Sequence, residues 1–212
     1  MKEILWNSSK IKIGLILYDS KDIFITTVFM SIEEGLFSLY NYAKKFAEVI
    51  FEVVNAPIIN IFVSNSNRWV SQLEFNKVIA AIPKVLSQTL SFFVLTSIMV
   101  YFFIPIIFSY LLNDSFSGNE ISQIQSIYAV LICFYLVIAV ESPYARLVMI
   151  LKMFNYGLFI NMTFFVMVTI GFLFLNYFGN NYIEFLIVLI IAQLGNLMLA
   201  YWGVNKLIKS KV

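Results

Sequence analysis

The chain has 212 residues, of which 61% are hydrophobic and 12% are charged, and its formal net charge is +2 at pH 7. Soluble domains contain roughly 45–50% apolar and about 25% charged residues, so this composition excludes an ordinary soluble domain, including a soluble nucleic-acid-binding one. The sequence has no histidine, which removes the commonest general base and the commonest transition-metal ligand. We therefore predict an integral membrane protein without a metal site or a cofactor.

The first predicted membrane span covers residues 13–38, although Asp19, Lys21 and Asp22 interrupt its apolar run. These charges, and the lack of a small-residue cleavage pattern after them, argue against a cleavable signal peptide. The second predicted span covers residues 44–64 and also carries several charges. Both spans are retained because each still contains a long apolar stretch.

The polar segment 66–83, with apolar residues scattered through it, favours a short helix at the water interface that is closed by Pro83. Four runs without Asp, Glu, Lys or Arg follow, and each is long enough to cross a bilayer, which takes roughly 20 helical residues. The charge-free runs are 85–113, 121–140, 153–183 and 185–205, and we place the four spans at residues 85–112, 121–140, 153–178 and 183–205.

Two pairs of polar residues accompany the later spans. Glu141 and Arg146, which flank Pro143, are interpreted as an ordinary cytoplasmic loop. Gln193 and Asn196 lie three residues apart in the last span, so we interpret them as hydrogen-bonding groups between helices rather than as ligand-binding groups.

The distribution of lysine and arginine predicts the topology, because cytoplasmic loops carry the excess of these residues. With both termini in the cytoplasm, eleven of the 14 basic residues fall on the cytoplasmic side. Lys44 and Lys45 fall on the opposite side, and Lys21 lies within a span. The sequence therefore predicts an all-α, multi-pass bundle of six spans that forms one domain over residues 1–212, with both termini cytoplasmic.

Polar residues follow one face of each of the first two spans. In the second span they recur at spacings of four, three, four and three residues, which places them in one stripe along a helix. This stripe consists of Asn41, Lys45, Glu48, Glu52 and Asn55. In the first span, Asp19, Asp22 and Thr26 share a face, to which Glu33 returns within roughly 20°.

A charged side chain at the bilayer centre costs roughly 2.5–3.5 kcal/mol, so polar stripes should avoid lipid. We predict that the two stripes face each other across an interior, water-filled compartment. An alternative applies to the residues nearest the connecting loop: they form surface pairs at a helix end and extend to the interface. These residues are Lys44, Lys45 and Glu33.

The runs GLFSLYNYAKKFAEVIFEVVNAPIINIFVS and FNKVIAAIPKVLSQTLSFFVLTSIMVYFFIPIIFSYLL carry a family resemblance. They are similar to the second half of flippases of the multidrug/oligosaccharidyl-lipid/polysaccharide superfamily, and within it to MurJ/MviN-like precursor flippases and Wzx-type polysaccharide flippases. In those proteins a glycine ends one helix, a Tyr-Ala turn with a basic residue follows, and the next helices contain prolines. The corresponding residues here are Gly35, Tyr42, Ala43, Lys45, Pro57 and Pro105.

The resemblance covers roughly residues 12–208 and implies one six-helix, MATE-like lobe of a protein that is normally built from two lobes around a central cavity. It also implies a plasma (bacterial inner) membrane location. The missing lobe would be a separate first-lobe polypeptide or a second copy of this chain. In such flippases the basic residue at the position of Lys45 faces the cavity and suits the pyrophosphate of an undecaprenyl-linked sugar.

On this reading the chain is a transporter rather than an enzyme, and it moves a lipid-linked oligosaccharide, polysaccharide or peptidoglycan precursor by alternating access. Two sets of residues are candidates for the site. Those for substrate binding in the cavity are Lys45, Lys44, Asn41 and Asn55, and those for binding a coupling cation or proton are Asp22, Glu33, Glu48 and Glu52.

Three alternatives stay open. One is a cation-coupled drug or metabolite exporter of the same superfamily, and another is an inactive, truncated fragment. The third is an integral membrane polyprenyl- or sugar-phosphate transferase, an enzyme class that holds Mg²⁺ with paired aspartate clusters. The segment DSKD, residues 19–22, is a candidate for one such cluster, but the sequence offers no second.

Overall fold

The computed structural model of the chain describes residues 2–111, 116–178 and 181–211. Within these ranges the protein is helical and contains no strands. The helices are α1 (Lys2–Asp19), α2 (Lys21–Ile32), α3 (Leu36–Ser71), α4 (Phe75–Ile106), α5 (Gly118–Ile150), α6 (Phe154–Phe178) and α7 (Tyr182–Lys209), and a π-helical turn, Ile107–Leu111, extends α4.

Five described helices, α3 to α7, are long and apolar enough to cross a membrane. In hydrocarbon each backbone N–H and C=O must be paired within the protein, which long apolar segments achieve by forming helices. The prediction of an all-helical membrane bundle is therefore confirmed. The count of six spans and the cytoplasmic position of both termini stay predictions.

The first predicted span, 13–38, is not one helix. It is divided between α1, α2 and the start of α3, and α2 has only 12 residues. The break at Ser20 is slight, because its φ and ψ of −57° and −20° remain helical and its N–H still bonds to the carbonyl of Ile16 at 3.0 Å. The turn into α3 is sharper, and Gly35 adopts a φ of +88°, which glycine tolerates better than other residues.

The predicted separate helix over residues 66–83 is wrong. The first part of this segment continues α3 to Ser71, a short turn follows, and the rest opens α4, with Pro83 inside that helix. The apolar residues of the segment, which suggested an interfacial helix, are instead core residues: Phe75, Val78 and Ile82 are buried in one cluster with Ile59 and Phe62 of α3.

The predicted loop at Glu141 and Arg146 is also wrong. Both residues lie inside α5, which continues ten residues beyond the predicted end of its span at 140, and Pro143 is accommodated within the helix. Glu141 is buried and Arg146 is exposed. A charge therefore ended the apolar run in the sequence without ending the helix.

Helix α5 is at the centre of the bundle, where it packs against α3, α4 and α7. Helix α1 lies against α6, and α6 lies against α7. Buried apolar side chains form two clusters, one around Phe29, Tyr40 and Phe93 and the other around Val78 and Leu147. The charged α1–α2 junction lies beside the first cluster, against which Tyr18 packs.

Close packing between α6 and α7 depends on Gly203. A Cβ atom at this position would overlap the ring of Tyr156, whose hydroxyl donates a hydrogen bond to the carbonyl of Leu199 at 2.7 Å. We predict that Gly203→Ala lowers the free energy of unfolding by about 1–3 kcal/mol through overpacking. Thermal unfolding in detergent should show a lower midpoint.

The matched control is Gly118→Ala, because an added Cβ there has no heavy atom within 4 Å. This variant should keep the wild-type midpoint or raise it slightly, since alanine favours the helix over glycine. Equal midpoints for the two variants would contradict the prediction.

Candidate functional site

A pocket of about 240 Å³ opens where the α1–α2 junction meets α3, α5 and α7. It differs from the rest of the bundle in collecting five charged side chains. Its charged and phenolic lining residues are Asp19, Lys21, Asp22, Tyr40, Lys44, Glu48 and Tyr135, and its apolar ones are Ile25, Leu131, Phe134 and Leu189. We call it the charged pocket.

The charges in this pocket alternate in sign along a continuous chain. The ammonium group of Lys21 lies 3.8 Å from a carboxylate oxygen of Asp19 and 3.9 Å from one of Asp22. The ammonium group of Lys44 lies 3.5 Å from Asp22 and 3.6 Å from Glu48. Each lysine is therefore shared between two carboxylates, and the five residues together carry a formal charge of −1.

Two aromatic side chains contact this series of charged residues. The hydroxyl of Tyr135, on α5, donates a hydrogen bond to Glu48 at 3.1 Å. The ammonium group of Lys21 lies 4.2 Å from the centre of the Tyr18 ring, within the range of a cation–π interaction. The pocket is thus built by α1, α2, α3 and α5 together, and no single helix determines its geometry.

Solvent exposure limits what these ion pairs contribute to stability. The side chains of Asp22 and Glu48 are 48% and 43% exposed, whereas that of Lys44 is 27% exposed. Pairs with so much access to water contribute a median of roughly 0–1 kcal/mol each. Each of these charged side chains is therefore partly exposed, so another charged group can contact it.

The structure brings members of the two predicted stripes together at this pocket, since Asp22 of α2 and Glu48 of α3 both line it and both pair with Lys44. Not every predicted residue takes part. Lys45 and Glu52 are exposed on a different side of α3, and Asn41 is half-buried without lining the pocket. Glu33 is exposed at the end of α2 and also lies outside it.

Rotation about the helix axis explains this division. At 100° per residue, Lys44 lies about 40° to one side of Glu48, whereas Lys45 lies about 60° to the other side. Packing of α3 against α5 buries the Lys44 side of the stripe and leaves the Lys45 side exposed. Asn55 lies on the buried side, where its amide donates to the hydroxyl of Ser142 on α5 at 3.1 Å.

Sequence reasoning missed three residues at or beside the pocket. Lys21 was assigned only as a charge within a span, and Tyr135 and Tyr18 had no signal that separated them from the other ten tyrosines. The interpretation of Gln193 as an interhelical hydrogen-bonding residue is confirmed: it is buried, accepts from the Tyr18 hydroxyl at 3.2 Å and donates to the Glu141 carboxylate. Asn196 is buried as well, but its carbonyl oxygen has no partner.

No protein-family model, curated protein or solved structure matches the chain. In the described ranges, no three His, Cys, Asp or Glu side chains are grouped so that they could hold a metal ion. What the pocket offers chemically is two ammonium groups and three carboxylates around a small polar space.

The small contribution of the cluster to stability can be measured by a double-mutant cycle with Lys44→Met and Asp22→Asn. We expect a coupling energy below about 1 kcal/mol, because both side chains remain accessible to water. Unfolding by dodecyl sulfate from mixed micelles gives the four stabilities that the cycle needs.

The exposed pair Lys77 and Glu74, whose charged atoms are 2.7 Å apart, provides the reference cycle. We expect the two cycles to give similar coupling energies. A coupling of several kcal/mol between Lys44 and Asp22 alone would show that the charged pocket is chiefly a structural element.

Proposed function

We propose that this chain is one lobe of a plasma-membrane transporter that moves an undecaprenyl-diphosphate-linked sugar from the inner to the outer leaflet by alternating access. The observation that carries the proposal is the charged pocket, in which two lysines lie inside an apolar helical bundle. Ionisable residues within membrane segments are costly and commonly mark substrate or ion pathways. The likeness of residues 35–64 and 75–112 to lipid-linked sugar flippases supports the same reading.

Lys44 and Lys21 are the residues that we assign to the diphosphate group. Lysine binds phosphate as a point charge, and both ammonium groups border the pocket. The family resemblance gave this role to Lys45, but Lys45 is exposed on another side of α3. Its neighbour Lys44 is the better candidate because it lies among the pocket residues.

Asp22 and Glu48 are the coupling groups in this proposal. Each now contacts Lys44, so a diphosphate group must compete with both carboxylates for the same ammonium group. Protonation of either carboxylate removes a competitor and therefore favours binding of the anionic head group. Glu33 and Glu52, the other two candidates, lie outside the pocket and have no such contact with Lys44.

The exposed side of α3 supports a second lobe as the partner. Lys45, Val49, Glu52 and Val53 all lie on this side, and Glu52 is sixteen residues from both Leu36 and Arg68. It is therefore about 24 Å along the helix from either residue, which is deep in a membrane. A first-lobe polypeptide or a second copy of this chain would cover these charges at the interface between the two lobes.

The formal charge of −1 in the pocket favours a second candidate function, a cation-coupled exporter of a small metabolite or drug. The three carboxylates outnumber the two ammonium groups around this polar space of about 240 Å³, so a cation bound there would neutralise the remaining negative charge. The two candidates differ in the effect of removing Lys44. If the chain is a flippase, the change abolishes diphosphate binding; if it is a cation-coupled exporter, the change leaves cation binding intact or strengthens it.

The decisive experiment compares Lys44→Gln and Lys44→Arg in proteoliposomes that contain the complex extracted from its own membranes. Transport is read as exposure of a lipid-linked sugar to an impermeant oxidant. We expect Lys44→Gln to lower the rate at least about tenfold, since a charged contact to phosphate is lost, while Lys44→Arg retains most of it.

Lys84→Gln is the matched control, because Lys84 is exposed on α4 and lies outside the charged pocket. It should transport at the wild-type rate. Unchanged transport by Lys44→Gln would overturn the proposed role of the pocket. Wild-type uptake of cations by the same variant would favour the exporter.

The proposed partner surface is tested with Val49→Cys in a Cys133→Ser background, which removes the exposed native cysteine. A short crosslinker with a maleimide at one end and a photoactivatable group at the other should link Val49→Cys to a second lobe in native membranes, giving a product of higher mass. Phe102→Cys, equally exposed but on α4, should not be linked. Two unlinked variants, together with a monomeric native mass, would contradict the two-lobe assembly.

A further inference from the structure

A second cavity, of about 480 Å³, lies between α1, α3, α5, α6 and α7 and is separate from the charged pocket. Its walls are largely apolar, formed by side chains such as Leu15, Phe51, Ile138, Leu158 and Ile160. Cavities of roughly 300–1,000 Å³ with apolar walls and a few convergent polar groups are typical of small-molecule sites. We call this space the apolar cavity.

Glu141 is the charged group buried in the wall of the apolar cavity. Its side chain projects from the last third of α5, and the residue is 8% exposed. The amide of Gln193 donates a hydrogen bond to it, and the Tyr18 hydroxyl in turn donates to Gln193. These bonds hold Gln193 and the carboxylate in place but supply no positive charge.

No lysine or arginine nitrogen lies within 4.0 Å of the Glu141 carboxylate in the part of the chain that the structure describes. A buried carboxylate is costly unless a cation or a proton compensates it. The protein provides one neutral donor and an apolar space beside it. A proton would compensate this carboxylate, and so would a positive charge that enters through the cavity.

The rim of the cavity carries Lys10 and Arg146, which raises the alternative of an anionic amphiphile. The ammonium group of Lys10 lies over the Trp6 ring, 5.1 Å from its centre, and Arg146 is exposed. Both cations are therefore stabilised without a ligand, Lys10 by an aromatic ring and Arg146 by solvent, whereas Glu141 is buried and accepts a hydrogen bond from a neutral amide. The group that most needs a partner is the buried acid.

We propose that the apolar cavity binds a monovalent organic cation with apolar substituents, whose charge lies beside Glu141. The apolar groups of the ligand contact Leu15, Phe51 and Leu158. This site is distinct from the charged pocket, and it does not depend on which substrate that pocket takes.

Tetraphenylphosphonium and tetraphenylborate are suitable probes because they have nearly the same size and shape and opposite charges. Binding is measured by equilibrium dialysis with the intact protein in lipid nanodiscs, and uptake by empty nanodiscs is subtracted. We expect saturable binding of the phosphonium and at least about tenfold weaker binding to Glu141→Gln, since truncating a buried charge pair has a large effect. Tetraphenylborate should bind neither protein in a saturable way.

Glu34→Gln is the matched control, because Glu34 is exposed in the turn between α2 and α3, outside both cavities. It should bind the phosphonium as the wild type does. Glu141→Asp should bind more weakly than the wild type but more tightly than Glu141→Gln, since it keeps the charge on a shorter side chain.

Ala145→Phe provides a test that leaves the carboxylate intact and remains informative if Glu141→Gln fails to fold. Ala145 lines the cavity, so a phenyl group there should fill it and weaken phosphonium binding. Equal phosphonium binding by the wild type and Glu141→Gln would overturn the proposal. Saturable binding of tetraphenylborate in preference to the phosphonium would also overturn it and assign the cavity to an anion at Lys10 and Arg146.

Discussion

Hydrocarbon accepts neither an unpaired backbone group nor an uncompensated charge, and this constraint accounts for most features of the molecule. It makes every long apolar segment a helix, and it drives the ionisable side chains of those helices toward each other or toward a cavity. The alternating chain from Asp19 to Glu48 is one result, because each lysine there is shared by two acids. Glu141 is the other result, since its compensation by protein groups is incomplete.

The same constraint explains which helices could be predicted. Charge-free runs identified α4 to α7 directly, because an apolar run of roughly 20 or more residues without charges is typical of a membrane-spanning helix. Their ends were harder to predict, because a charge in the sequence was read as the end of a helix. Glu141 shows why this rule fails: a carboxylate can remain within a helix when Gln193 and an adjoining cavity receive it. The prediction of an interfacial helix at residues 66–83 was wrong for a different reason. The apolar residues of this segment contact the core of the bundle and not the membrane interface.

The site was predicted in outline and differed in its details. Spacing alone placed Glu48 and its neighbours on one stripe, and the cost of exposing charge to lipid placed that stripe opposite Asp22. Spacing does not, however, fix the rotation of a helix in its bundle. That rotation, set by the packing of α3 against α5, places Lys44 rather than Lys45 in the pocket. The hydrogen bond from Tyr135 to Glu48 could not be predicted from the sequence either, because the two residues are 87 positions apart.

Tyr18 links the two polar regions of the bundle. Its ring lies under the ammonium group of Lys21 at the charged pocket, and its hydroxyl bonds to Gln193, which contacts Glu141 at the apolar cavity. A displacement of the α1–α2 junction that separates Asp22 from Lys44 therefore also moves Tyr18 and the support of Glu141. Coupling between distant sites requires an element whose position affects both of them. The junction of α1 and α2 is placed to be that element, because Ser20 interrupts the helix there while the contacts on either side connect it to both cavities.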